Sequence, residues 1–299
     1  MRIGLDIGGT KTEIVVLCEQ SEVIFRKRKP TPDNYQGWLE NVRDLIQEAI
    51  QEKGQPESTG ICLPGAISPD TGKLKNANTT YLNGKPVAED LRQLLGFEVK
   101  LANDADCFAL SEATDGAAAD ANSCFGIIIG TGCGGGLVFN GQLVTGPNAI
   151  AGEWGHNPLP GFSPEADGIS QPCYCGRENC VETFLSGTGM AKRFRKISGL
   201  SEAEVPNAKA VMELKEEGDE LASQHFDHYV DALARSIGSV INIFDPEVVV
   251  LGGGMSNVQA LYEVLPEYVS RYVFSDYLNT RIVQAEYGDA SGVRGAAWL

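Results

Sequence analysis

At 299 residues, with 42% apolar residues and 35 glycines, the chain has length for one or two domains and the composition of a turn-rich α/β protein. Its formal charge of −16 at pH 7 opposes nucleic acid or an anionic membrane as partner. No apolar stretch approaches the ~20 residues that cross a bilayer, and a strand starting at Met1-Arg2-Ile3 leaves no room for a signal peptide, so a cytoplasmic location is expected.

In chain order, strands are expected at 2–7 and 12–18, joined by Asp6-Ile7-Gly8-Gly9-Thr10-Lys11. Glycines at such a bend let backbone N–H groups approach phosphate oxygens, Thr10 adds a hydroxyl donor, and Asp6 offers a hard oxygen suited to Mg²⁺. An ordinary β-hairpin would show the same local pattern. Further strands are expected at 22–28, 58–63 and 97–101, with a helix over 35–53 carrying Trp38, Val42, Leu45, Ile46 and Ala49 at helical spacing. Asn103 and Asp104 then follow a buried strand and open a helix with Phe108, Ala109 and Ala113. Asp104 there suits a general base toward a hydroxyl, or simply a helix N-cap.

The second half repeats the theme. Strands at 123–129 and 135–140 flank Gly130-Thr131-Gly132-Cys133-Gly134-Gly135-Gly136. Two matching strand–turn–strand units suggest a duplicated fold gripping one polyphosphate. There is no GxxxxGK[ST] run and no GxGxxG opening a helix after the first strand, which excludes a P-loop and counts against a dinucleotide site. The Pro-, Gly- and Ser-rich stretch 158–172 reads as a loop. Cys173, Cys175 and Cys180 put three thiols within eight residues, and His156 lies upstream. One imidazole with three thiolates suits a closed structural zinc site; free buried thiols or a redox pair are the alternatives. Glu153 and Glu182 flank that loop and would point acceptors at something hydroxyl-rich. A long helix is expected over 218–243, ended by Asp245-Pro246, with His225 and His228 as plain helix residues. A strand at 247–251 enters a third glycine turn, Gly252-Gly253-Gly254, and Gly288 and Gly292 to Gly295 form a fourth cluster.

Together these motifs resemble the ROK family (repressors, open reading frames, sugar kinases) of the actin-like ATPase superfamily, from Met1 to Leu299. The segments that carry the likeness are Asp6-x-Gly8-Gly9-Thr10-Lys11, Asn103-Asp104-Ala105, Gly130-Thr131-Gly132-x-Gly134-Gly135-Gly136, Glu153-x-Gly155-His156, Cys173-x-Cys175-Gly176-x-x-x-Cys180-x-Glu182 and Leu251-Gly252-Gly253-Gly254. The resemblance implies two RNase H-like lobes with a central cleft. One would be 1–117 completed by a C-terminal helix in 287–299, the other 118–286, with Ser58 to Gly65 lining the cleft. It implies ATP and Mg²⁺ as cofactors with phosphates held by Asp6, Gly8, Gly9, Thr10, Lys11, Thr131, Gly132 and Gly134, and adenosine by Gly252, Gly253 and Gly254. Asp104 would be the base toward a hexose 6-hydroxyl, with Asn78, Asn103, Glu153, His156 and Glu182 around the sugar. Zn²⁺ would be held by His156, Cys173, Cys175 and Cys180, and the chain would form a homodimer.

Two positions depart from the family pattern: Asp106 stands where Asn is usual, and Asn179 where Gly usually precedes the last cysteine. Asp106 is expected to perturb Asp104 little, and Asn179 to tolerate a left-handed backbone. Glu153 to Pro160 and Lys75 to Gly84 look most like bacterial fructokinases, so fructose is the expected substrate, with mannose or glucose also accepted. Trp154 and segment 76–84 are expected to set that preference. N-acetylglucosamine kinases of the family are the nearest alternative. A sugar-responsive regulator is disfavoured, because five residues precede Asp6 and the chain is acidic.

Overall fold

The computed structural model describes residues 1–299. Its elements begin with strands β1 (Arg2–Ile7), β2 (Lys11–Leu17) and β3 (Val23–Pro30), helix α1 (Tyr35–Lys53), and strands β4 (Ser58–Cys62), β5 (Ala66–Ile67) and β6 (Leu74–Lys75). Helix α2 (Val87–Leu95), strand β7 (Lys100–Ala102) and helix α3 (Asp104–Thr114) follow, then strands β8 (Ser123–Ile129), β9 (Cys133–Phe139) and β10 (Gln142–Leu143). Helices α4 (Pro164–Asp167), α5 (Glu182–Leu185), α6 (Gly187–Ser198), α7 (Ala208–Glu216) and α8 (Glu220–Phe244) lead into β11 (Val248–Gly252). Helix α9 (Ala260–Ser270), strand β12 (Arg281–Gln284) and helix α10 (Ser291–Trp298) complete the chain.

The chain packs as two units. The first comprises Met1–Asn122, Gly136–Gly152 and Glu286–Leu299; the second comprises Ser123–Gly135 and Glu153–Ala285. The boundary differs from the expected division at 117 and 286 chiefly in giving Gly136–Gly152 to the first unit. Two five-stranded sheets run β3-β2-β1-β4-β7 and β10-β9-β8-β11-β12. Each therefore has its third, second, first, fourth and fifth strands in that order, which is the duplication expected from the two strand–turn–strand units.

In the first unit β1 pairs antiparallel with β2 and parallel with β4, which pairs parallel with β7. Helix α1 spans the expected 35–53 because Asn34 accepts the Gly37 N–H at 2.9 Å and Trp38, Leu39, Val42, Leu45, Ile46 and Ala49 form one buried face. That face packs with Ile3, Leu5, Ile7, Ile14, Val16 and Ile61 of the sheet. Helix α10 covers β1 and β4 at backbone distance: a Cβ on Gly4 would stand 2.2 Å from the Val293 carbonyl oxygen, and one on Gly60 1.9 Å from that of Ala296.

The strand expected at 97–101 is instead Lys100–Ala102. Its pairing with β4 spans only Gly60↔Lys100 to Cys62↔Ala102, and Phe97 and Val99 spend their apolarity against the core outside the ladder. The loop expected over 158–172 holds the one-turn helix α4, because Ser163 caps it by accepting the Ala166 N–H at 3.2 Å. In the second sheet β11 pairs parallel with β8 and β12. Strand β9 starts at Cys133 rather than 135, taking the glycine run into the sheet. The long α8 begins two residues later than expected, behind the Asp219 cap, and ends at Asp245 in the left-handed region before Pro246.

Candidate active site

In the first unit, parallel register across β1, β4 and β7 aligns Asp6, Cys62 and Ala102 in one row at the carboxyl ends of the strands. Asp104 opens α3 two residues beyond that row. The helix cap is Asn103, whose Oδ1 accepts the Asp106 N–H at 2.6 Å. Asp104 is thus spared the capping role and keeps local backbone bonds, from the Ala105 N–H at 2.9 Å and from its own N–H. By surface area Asp104 is exposed, yet protein surrounds its carboxyl closely enough that desolvation raises its pKa above the ordinary aspartate value.

Asp6 is half-buried, and its pKa is raised first by desolvation and then by the Asp104 and Glu13 carboxylates; a hydrogen bond from Cys62 and the charge of Lys11 oppose this. The Asp104 carboxylate thus disfavours charge on Asp6. Beyond Asp6 the β1–β2 turn closes with the Gly8 N–H on the Lys11 carbonyl at 2.9 Å, and Thr31 donates its hydroxyl to the Gly8 carbonyl at 2.8 Å. Gly9, Thr10 and Lys11 are left exposed at its tip. Asn78 is exposed beside this turn: a Cβ on Gly9 would stand 3.9 Å from the neighbouring Thr79 hydroxyl. The loop bearing Asn78 is fixed by Asn83, whose amide bonds Ala77 in both directions at 2.9 Å.

In the second unit the other glycine turns meet. A Cβ on Gly253 would stand 2.6 Å from the Ile129 carbonyl, which brings Gly252–Gly254 against the turn Gly130–Gly132. Gly187, at the start of α6, donates its N–H to the Gly130 carbonyl at 2.8 Å. Thr131 is exposed at the turn. Glu182 joins this group: its Oε2 accepts the Cys133 N–H at 2.9 Å, and a Cβ on Gly132 would lie 2.7 Å from the same oxygen. One oxygen of the expected sugar ligand is therefore engaged in holding the second turn. Gly134 lies within β9, and its carbonyl accepts the Trp154 indole N–H at 2.9 Å. Trp154, expected to set substrate preference, is buried and packs edge-on against Phe125. Glu153, next to it in sequence, is exposed.

His156, Cys173, Cys175 and Cys180 place one ligand atom each within 4.8 Å of all the others. Cys173 Sγ lies 3.6 Å from His156 Nδ1, and Cys175 Sγ 3.6 Å from Cys180 Sγ. Around tetrahedral zinc, bonds of about 2.3 Å to sulfur and 2.0–2.1 Å to nitrogen separate ligand atoms by roughly 3.6–3.8 Å. The four residues fit such a centre. Asn179 takes φ 57°, the left-handed backbone expected of it, and Gly176 turns at φ 87°. Arg177 and Cys173 close the turn through a backbone bond of 2.8 Å. Tyr174, which the sequence reading passed over, donates or accepts at His156 Nε2 across 3.0 Å. Its phenol pKa is raised to about 12 by desolvation and then by Glu182, Cys173 and Glu153 among its neighbours. Its place between two ligand cysteines was the available signal.

The sequence matches the ROK family over residues 2–299. The chain belongs to the ROK family. Among its relatives, the N-acetyl-D-glucosamine kinase of Escherichia fergusonii is 41% identical over 303 residues, covering 100% of this chain and 99% of that protein. The ROK hexokinase of Thermus thermophilus has the same fold, with TM-score 0.87 and 27% identity over 99% of this chain and 96% of that one. A ROK glucokinase of Streptomyces griseus, solved with glucose and AMPPNP, matches with TM-score 0.73 and 25% identity over 99% and 97%. The ROK chain described here therefore has the actin-like ATPase fold of sugar kinases, built on two RNase H-like sheets. No helix is long and apolar enough to cross a membrane. Cys62 is the other functional neighbour that sequence reasoning missed, because only strand register reveals that it stands beside Asp6.

Proposed function

We propose that this ROK protein transfers the γ-phosphoryl group of ATP to the 6-hydroxyl of a hexose, and that N-acetyl-D-glucosamine is its main substrate. The observation that carries the reading is Asp104, an accessible carboxylate freed from capping, beside Asp6 at the carboxyl ends of parallel strands. Asp104 takes the proton from the attacking hydroxyl, and its raised pKa makes it a better acceptor than an ordinary aspartate. Gly9, Thr10 and Lys11 hold phosphate oxygens, as do Thr131 and Gly132, and Gly252 to Gly254 take the adenosine. Asp6 would hold Mg²⁺ directly or through water, and the ion would offset phosphate charge. Asn78, Asn103, Glu153, His156 and the free oxygen of Glu182 orient sugar hydroxyls, and zinc held by His156 and the three cysteines would fix the loop flanked by Glu153 and Glu182. The protein acts as a homodimer in this reading, which light scattering would check.

The substrate assignment follows the relatives named N-acetyl-D-glucosamine kinase at 41% identity. D-fructose is the second reading, favoured by one specific feature: Glu153 to Pro160 and Lys75 to Gly84 look like fructokinase segments. ADP release with Mg²⁺-ATP across N-acetylglucosamine, fructose, mannose and glucose separates the two. We expect the highest kcat/KM on N-acetylglucosamine. Highest efficiency on fructose would replace the substrate and keep the mechanism. No turnover of any sugar by zinc-loaded protein would overturn the kinase reading.

A further inference from the structure

Tyr174 lies between two metal-ligand cysteines and is 83% exposed. Its hydroxyl stands 3.0 Å from His156 Nε2, and the two rings meet edge to face with centroids 5.1 Å apart at 87°. The other imidazole nitrogen, Nδ1, faces Cys173 Sγ at 3.6 Å. With Nδ1 given to a metal, Nε2 must carry the ring proton, so His156 donates and Tyr174 accepts. Glu153 and Glu182 also act electrostatically on the phenol. The Tyr174 hydroxyl therefore stands on a side chain assigned above to sugar hydroxyls.

We propose that Tyr174 is a substrate-admission residue: its hydroxyl occupies, in the sugar-free protein, the His156 Nε2–H that a sugar hydroxyl takes on binding. The inference rests on the sugar-kinase reading of His156, Glu153 and Glu182. One N–H makes one strong, well-aligned hydrogen bond at a time, so phenol and sugar exclude each other there. The exposed ring has little packing to hold it, and giving up this bond lets it swing into solvent. The phenol thereby raises the sugar concentration needed for half-saturation without touching the transferred phosphoryl group.

Tyr174→Phe removes the competing acceptor and keeps the ring. We expect the sugar Kd, measured by calorimetry without ATP, to fall by roughly two- to fivefold, the worth of one ordinary hydrogen bond. KM for the sugar should fall in step at unchanged kcat, with one zinc per chain and an unaltered Tm. A variant that merely loosened the loop would lose zinc and bind sugar more weakly. An unchanged or raised Kd, in protein whose wild type turns over a sugar, overturns the Tyr174 role and leaves the kinase reading standing. A wild type that neither binds nor turns over any sugar brings down both.

Discussion

Asp104 and its neighbour Asn103 divide a job that the sequence leaves ambiguous, since either could cap α3. The 2.6 Å bond from the Asp106 N–H to Asn103 settles it, and the carboxylate next in line does not cap the helix. Asp104→Asn should lose roughly 10²–10⁴-fold in kcat, the usual worth of a general base, while calorimetry finds sugar and ATP still bound. Near-normal turnover would remove Asp104 from the mechanism. Because its folded pKa is raised, the charged form opposes folding: that deficit is absent at low pH and present at pH 7. The Asn variant should therefore match or exceed the wild-type Tm at pH 7. The acid limb of kcat/KM should lie above the 3.8 of ordinary aspartate. A different residue, His225, carries the opposite sign. It is buried on α8 beside the Met190 carbonyl at 3.0 Å, and burial lowers its pKa to about 4 from 6.5. Its contribution is complete above pH 6.5 and is lost as pH falls toward 4, by roughly 3 kcal/mol if it titrates alone. His225→Gln, which keeps a donor to Met190, should flatten urea-measured stability across that window relative to wild type. Parallel pH curves for the two proteins would contradict this.

At the level of elements, periodicity reveals those that bury side chains and conceals those that bury backbone. Helix α1 was legible to the residue because six apolar positions recur on one face. Helix α10 was expected from the family resemblance alone, its own residues reading as a glycine cluster, since it packs its own backbone on Gly4 and Gly60, and a Cβ on Gly295 would stand 1.7 Å from the Cys107 carbonyl. The same physics draws the glycine run into β9, where a Cβ on Gly136 would stand 2.5 Å from the Ala105 carbonyl. Helix α4 escaped notice because one turn has no periodicity. It is held from α8, where Arg235 is paired with buried Asp167 and donates to the Pro160 carbonyl at 2.7 Å. A second ion pair joins Arg235 to Asp231 at 3.0 Å. Arg235→Ala strands a buried carboxylate and should cost roughly 3–5 kcal/mol in urea unfolding. The double change Arg235→Met with Asp167→Leu should cost less, since it strands no buried charge and leaves only the partly exposed Asp231 without its ion pair. Equal losses in both would mean that packing rather than charge holds the loop.

Across the whole molecule, the duplicated sheet order was legible because each copy carries a strand, a Gly/Thr turn and a strand. The partners of those turns were not, because Glu182 reaches the second turn from 49 residues away in sequence. The charge of −16 has a consequence of its own, since the substrate that the turns are read as holding is itself an anion. The field of the surface repels Mg²⁺-ATP before the local N–H groups and Lys11 can attract it. Raising ionic strength from about 0.01 M to about 0.15 M shortens the screening length from roughly 30 Å to 8 Å, which removes long-range repulsion and spares contacts inside the site. At fixed free Mg²⁺, KM for ATP should therefore fall by roughly twofold or more over that range, while KM for the neutral sugar stays level. A KM for ATP that rises with salt would mean that the positive potential of the turns outreaches the acidic surface, and that nucleotide capture is governed by those turns alone.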